Sequence, residues 1–210
     1  MKLSSGRFNR FISRIGQDVD WKKAYDCPCK DPNSGAAKYD CALCNGVGHV
    51  WDDFISCNFA LSGQKTQRQW ADFGAWENGD VVVTLPSNSP VYDIGEFDRV
   101  MMMNSSVPFS ITKNHDGTEK LPFKVESIER VFWIDGSDDI VDGEVLAVND
   151  DSSLTWTSEP PDGAQYSITG RRRPEYYMYK EFPQDRAHFK GADLPRRVVL
   201  RLFELMNKSL

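Results

Sequence analysis

Four thiols crowd one short stretch, with Cys27, Cys29, Cys41 and Cys44 all falling within "CPCKDPNSGAAKYDCALC". Thiolate sulfur is a soft ligand, and a structural zinc site wants four ligands in a tetrahedron. A Cys-x-Cys pair and a Cys-x-x-Cys pair supply four. After the second pair, "NGVGH" puts Gly46 and Gly48 where the chain must turn tightly and aim amides at sulfur. The second pair is the more specific half. The Cys27-Pro28-Cys29 spacer is shorter than the usual two residues, which leaves His49 or Cys57 as substitutes for one ligand. The competing readings are plain buried thiols or two disulfides. Five cysteines, an odd number with four of them clustered and no export signal, argue against a disulfide framework. A catalytic zinc keeps one position open and usually draws on histidine or carboxylate, whereas four thiolates close the shell. The pattern therefore predicts one structural Zn2+ on Cys27, Cys29, Cys41 and Cys44, folding a small knuckle that has too few apolar residues to hold itself.

No other constellation carries comparable chemistry. His49, His115 and His188 are far apart and sit in no nucleophile or metalloprotease motif. There is no Walker-type loop, and "CNGVGH" is explained by the metal turn rather than by a strand-to-helix dinucleotide fingerprint. Cys57, in "DDFISCNFA", reads as a small buried residue. The sequence predicts no enzyme.

The elements around the knuckle read mainly as β. Phe8, Phe11, Ile12 and Ile15 follow helical spacing, with Ser4 or Ser5 as cap and Gly16 as stop, so a short amphipathic helix is expected at the N-terminus. A helix of that length must dock, on its own domain or on a neighbouring chain. The stretch "GQKTQRQWADFGAWENGD" shows no clean period, and "VVVTLP" reads as the first strand of a β region. Four Asp-Gly pairs, at Asp116, Asp135, Asp142 and Asp162, are each able to make a tight hairpin turn, between β-rich runs such as "FKVESIERVFWI" and "QYSITG". Pro174, Pro183 and Pro195 punctuate the C-terminal part, which is expected to be an extended arm. "RRVVLRLFEL" is read as strand in preference to helix. The expected architecture is thus a compact antiparallel β-barrel or sandwich over residues 61–170, an N-terminal helix or arm (1–20), a zinc knuckle (21–60) and a basic C-terminal arm (171–210).

Charge is uneven along the chain. Residues 171–210 carry ten basic and five acidic residues, while residues 1–170 carry 15 basic and 26 acidic ones. An acidic body with a basic tail suits contact between unlike surfaces of neighbouring subunits more than broad coating of nucleic acid. Arg171, Arg172 and Arg173, with Arg186, Arg196, Arg197 and Arg201, are the candidate partner contacts, together with the Phe8, Phe11, Ile12 and Ile15 stripe. Arg171 to Arg173 beside Tyr176, Tyr177 and Tyr179 also hold the ingredients of single-strand binding, so a zinc-containing nucleic-acid-binding protein is the alternative function. No apolar run approaches the length of a membrane span, and no secretory signal is expected in "MKLSSGRFNRFISRIG".

Several segments together, among them "GQDVDWKKAYDCPC", "YDCALCNGVGHVW", "QWADFGAWENGDVVVTLP", "SPVYDIGEFDRVMM" and "DRAHFKGADLPRRVVLRLFEL", resemble a family of tailed-bacteriophage structural proteins, and the likeness covers almost the whole chain. The resemblance implies a virion neck or head–tail connector component (adaptor, stopper, collar or tail-completion), made in the bacterial host cytoplasm. It implies a cysteine-bound zinc knuckle on Cys27, Cys29, Cys41 and Cys44, an arginine-rich terminal segment at Arg171 to Arg173, Arg186, Arg196 and Arg197, and no catalytic residue. The implied partners are further copies in a ring, the portal or adjacent neck and tail proteins, and passing genomic DNA, with no membrane.

Overall fold

Helix α1 (Ser5–Ile15) runs into β1 (Gln17–Lys22), and β2 (Ala24–Asp26) and β3 (His49–Trp51) enclose the cysteine stretch. Then come β4 (Ile55–Leu61), helix α2 (Gln64–Asp72), β5 (Val81–Leu85) and β6 (Arg99–Met102). Five strands follow without a helix: β7 (Val107–Asn114), β8 (Val125–Ile134), β9 (Ile140–Val148), β10 (Leu154–Ser158) and β11 (Gln165–Arg172). The chain returns through β12 (Glu175–Glu181), the short pair β13 (His188–Phe189) and β14 (Ala192–Asp193), and β15 (Arg196–Leu202). The computed structural model describes residues 4–183, 188, 189 and 191–208. The protein is mainly β, with an N-terminal helix and a closed barrel as expected.

Two units divide the chain: Met1–Asn104 with Glu175–Leu210, and Ser105–Pro174. The first is a six-stranded antiparallel barrel in the order β1-β4-β5-β15-β12-β6, closed by β6 pairing back to β1. Val19, Phe59, Val83, Leu85, Val100, Met178, Val198 and Leu200 fill it. The second is a five-stranded sheet in the order β10-β9-β8-β11-β7, one face of which carries the core residues Phe109, Val131, Trp133, Tyr166 and Ile168, joined by Leu121 from the β7–β8 connection. The expected boundaries are therefore redrawn, since one β domain over 61–170 becomes a barrel made from both chain ends and an inserted sheet.

The C-terminal segment is not an extended arm. β12 and β15 are adjacent barrel staves, with β15 hydrogen-bonded to β5 on one side and to β12 on the other. The reason lies in "VVL": Val198 and Leu200 point into the barrel, while Val199 points outward into a second apolar layer with Trp70, Val82 and Phe182. A strand buried on both faces loses its polar alternation, and this strand did. β5 follows the same rule, with Val83 and Leu85 inside and Val82 outside. The outer layer is supplied by α2, whose Gln67 amide bonds both backbone groups of Val82 at 2.9 and 3.0 Å and whose Trp70 is buried.

That outer layer also holds Arg201, which was expected to face a partner. Its guanidinium instead makes a bidentate pair with Asp80, both contacts 2.9 Å, and lies 3.7 Å over the Tyr179 ring. Trp70 Nε1 donates to the same carboxylate at 2.9 Å. The pair holds the Arg201 pKa above its ordinary value, the Asp80 hydrogen bonds being the main cause.

Of the four Asp-Gly pairs, Gly117 and Gly163 adopt positive φ in turns. At the β8–β9 turn the positive φ falls on Asp138 rather than Gly136. Asp142-Gly143 is no turn: it lies inside β9, where a Cβ on Gly143 would meet the Trp133 ring at 2.5 Å.

Helix α1 docks on its own unit through Ile12, 1% exposed, and through Asn9, whose side chain bonds Ser87 at 3.0 and 3.2 Å. The expected stripe therefore splits, with Ile12 buried and Phe8, Phe11 and Ile15 left exposed.

Removing one partner of the buried Asp80–Arg201 pair strands a charge, so Arg201→Ala should destabilise the protein by about 3–5 kcal/mol. Arg14→Ala, on the exposed side of α1, should change stability by less than about 0.5 kcal/mol. Urea unfolding of the two variants checks this, and a chain cut after Pro195 should fail to fold.

Candidate metal centre

The knuckle hangs from a two-stranded ribbon. β2 and β3 pair with Asp26 opposite His49, and the Cys27 amide continues the ladder by donating to the Gly48 carbonyl at 2.9 Å. The ends of the loop are thus clamped before any metal is considered. Within it, Pro28 fixes the backbone between the first two sulfurs, and the Lys30 amide closes a turn on the Cys27 carbonyl at 3.0 Å. Asp31 organises the next bend, accepting from the amides of Asn33 and Ser34 at 2.9 and 2.7 Å. The second pair sits on a single turn in which the Asn45 amide reaches the Cys41 carbonyl at 2.8 Å. Asn45, Gly46 and Gly48 then take positive φ. A Cβ on Gly48 would meet the flexible end of Lys30 at 2.8 Å and Ala37 at 3.1 Å, and the positive φ is the reason this position favours glycine.

The result brings all four sulfurs within 4.8 Å of one another. Cys27 and Cys41 sulfurs stand 3.7 Å apart, and those of Cys29 and Cys44 3.5 Å. A disulfide would need about 2.05 Å, and all five cysteines are free. A tetrahedron of thiolates each about 2.3 Å from a metal has edges of roughly 3.8 Å. The donor set and its spacing therefore fit a metal ion.

Electrostatics gives the same answer. The amides of Cys44 and Leu43 donate to the Cys41 sulfur and pull its pKa down to about 6. Cys29 also receives an amide, that of Lys38, but burial and the three neighbouring sulfurs outweigh it and push the thiol up to about 12. Four thiolates this close cannot all ionise alone; a dication removes the obstacle by supplying the charge they lack. The Gly48 amide donates to the Cys44 sulfur at 3.3 Å, a bond of the kind that orients a ligated thiolate.

Neither substitute ligand joins this group. His49 is buried, stacked on Phe97 at 4.2 Å, with Nδ1 3.4 Å from Asp26 and Nε2 3.3 Å from Lys30 Nζ. Burial first, and the Lys30 charge second, lower its pKa, so Nε2 accepts from the lysine. Cys57 faces Val19 across the barrel wall and packs on the barrel core. Burial, then the Asp20 charge, raises its thiol to about 12, which leaves it unreactive.

The ribbon is fastened to the barrel at one residue that sequence reasoning missed. Asp98, 2% exposed, accepts from the Trp21 indole at 2.9 Å, the Gly95 amide at 2.9 Å and the Ala24 amide at 2.7 Å. Trp21 belongs to the barrel and Ala24 opens the ribbon. Beside it Phe97 takes positive φ, offers its ring to His49 and its carbonyl to the Trp51 indole at 3.0 Å. The Gly-x-x-Asp turn in "GEFD" was the available signal.

The remaining candidate residues are not gathered here. Arg171 bonds Ser106 at 2.7 Å, Arg172 lies 4.7 Å over the Phe123 ring, and Arg173 pairs with Glu126 at 3.1 Å, all within the inserted sheet. Arg196 bonds the Tyr92 carbonyl at 2.8 Å and pairs with Glu181. Arg197 stands opposite Thr84 on β15. Arg186 lies outside the described residues.

Compared with protein-family models and with curated proteins, the chain matches none. No described helix is long and apolar enough to cross a membrane.

Cys44→Ser removes one buried ligand and should abolish tight metal uptake. Because the barrel ladders do not run through residues 27–48, its effect should concentrate there: amide hydrogen exchange in that loop should accelerate at least roughly tenfold while β5 and β15 stay protected. Adding a strong chelator to the unaltered protein should reproduce the same map.

Proposed function

We propose that this chain is a non-enzymatic structural protein of a tailed-phage virion, a neck or head–tail connector component that assembles as a ring, and that its cysteines hold one structural Zn2+. The observation that carries the assembly reading is the set of large apolar side chains left outside. Phe8, Phe11 and Ile15 project from α1, and Ile134, Ile140 and Leu146 from the inserted sheet, the last at 71% exposure. Two such groups on one chain mark sites of association rather than the scattered apolar atoms of any surface. The resemblance of "YDCALCNGVGHVW" and the other segments to phage neck proteins supplies the setting. Partners in this reading are further copies of the chain, the portal and the adjacent neck or tail proteins, with genomic DNA passing through the ring. The chain would be made in the host cytoplasm and reside in the virion.

Zinc is the metal that this donor set favours. Four soft thiolates suit it, and they close its shell, which makes the ion a fold element. The alternative, a nucleic-acid-binding protein, rests on Arg171 to Arg173, and these engage their own chain: Arg171 bonds Ser106, Arg172 lies over the Phe123 ring and Arg173 pairs with Glu126.

Mass spectrometry of purified particles should find the chain at a fixed copy number, and elemental analysis of the isolated protein should return one zinc per chain. Its binding to DNA should be negligible at physiological salt. Tight binding that falls steeply as salt rises, with the chain missing from particles, would establish the alternative instead.

A further inference from the structure

The two exposed apolar groups differ in charge. Helix α1 contains Arg7, Arg10 and Arg14 and no acidic residue. Its apolar stripe occupies one side, Phe8, Phe11 and Ile15 being three to four residues apart, and Arg7 and Arg14 border that stripe away from the buried Ile12. The β8–β9 hairpin is the converse. Residues 134–146 contain five acidic residues and no lysine or arginine. Ile134 stands opposite Ile140 in the register, and Ile140, Asp142, Glu144 and Leu146 alternate along the solvent face of β9. The neighbouring cation on that face, Arg130, is already committed to Asp142 at 2.8 Å and to the Phe132 ring at 4.6 Å.

Pairing α1 with α1 would bring six arginines together without a counter-charge. Pairing hairpin with hairpin would bring ten carboxylates together against only the two Arg130 cations already paired with Asp142. Both self-complementary contacts are opposed by charge, whereas the unlike pair matches apolar to apolar and cation to anion. We propose that α1 of one copy docks on the outer face of the β8–β9 hairpin of the next copy, a heterologous contact that repeats around the ring. The inference rests on the ring reading above and names the two surfaces that build it.

A contact of this kind gives a distinctive result on mixing. A helix variant, Phe11→Ser with Arg14→Glu, keeps an intact hairpin; a hairpin variant, Ile140→Ser with Asp139→Lys, keeps an intact helix. All four residues are exposed, so both variants should unfold at the wild-type temperature. In sedimentation velocity the wild-type chain should form multimers and each variant should be monomeric, association being weakened about a hundredfold or more. An equimolar mixture of the two should form a 1:1 dimer and grow no further, because one intact helix meets one intact hairpin. A mixture that stays monomeric, variants that assemble like wild type, or a wild-type chain that is monomeric at every concentration would overturn the proposal. So would a monomeric wild-type chain that floats with phosphatidylglycerol vesicles through Phe11, which would assign the stripe to lipid. Variants that still form multimers would leave the virion reading standing, and a chain missing from particles would defeat that reading while the mixing result stood.

Discussion

A single buried carboxylate joins the two parts of the barrel unit that have different sources of order. Asp98 takes one donor from the barrel wall, one from its own turn and one from the first residue of the metal ribbon. Each hydrogen bond to a charged group contributes about 1.5–3 kcal/mol, and a buried carboxylate stripped of its donors would be strongly unfavourable. The barrel is held by apolar packing, whereas the knuckle exposes Tyr39 at 88% and Leu43 at 73% and has almost no core. Without the Asp98 anchor and the His49–Phe97 stack beside it, the knuckle would be held to the barrel chiefly through Trp51, whose indole bonds the Phe97 carbonyl and packs on Arg99 and Phe203. A metal held by the four cysteines would order the loop, and Asp98 orients it.

The barrel wall shows a second use of buried polarity. β5 and β15 are covered inside by the core and outside by Trp70 and Phe182, and the Asp80–Arg201 pair fills the polar end of that outer layer. With three hydrogen bonds, two to Asp80 and one to the Ala75 carbonyl, and the Tyr179 ring beneath its plane, the arginine behaves as part of the interior. Arg7 and Arg14 of α1, by contrast, are exposed and border apolar side chains that the fold leaves uncovered. Arg201 thus fastens strands, whereas the arginines of α1 lie on the surface that the proposed assembly would use.

Much of this was legible in the sequence, for reasons that differ by element. The cysteine spacing located the site because ligation is local: a turn of four residues and two glycines suffice to place Cys41 and Cys44. The strands of the inserted sheet were legible because one face is wet, so "QYSITG" alternates. β15 was read as a strand, but its place in the barrel was hidden, since burial on both faces erased the period and three prolines resembled an arm. Helix α2 was hidden because its inward residues are Gln67 and Trp70, one of them polar and serving β5 with its amide. The roles of Asp98 and Asp80 were hidden for a further reason: beyond their local turns, the partners Trp21, Ala24 and Arg201 lie 74 to 121 residues away, and no local pattern encodes such pairings. Arg201 was misread on the same ground, as a free cation next to other arginines.

The central claim is that Cys27, Cys29, Cys41 and Cys44 together complete the shell of one zinc ion. X-ray absorption at the zinc edge of the purified protein measures that shell directly. Four sulfur neighbours at about 2.3 Å, with no nitrogen or oxygen, is the predicted result. A shell containing nitrogen or oxygen, or a protein without zinc whose cysteines are paired in disulfides, would contradict it.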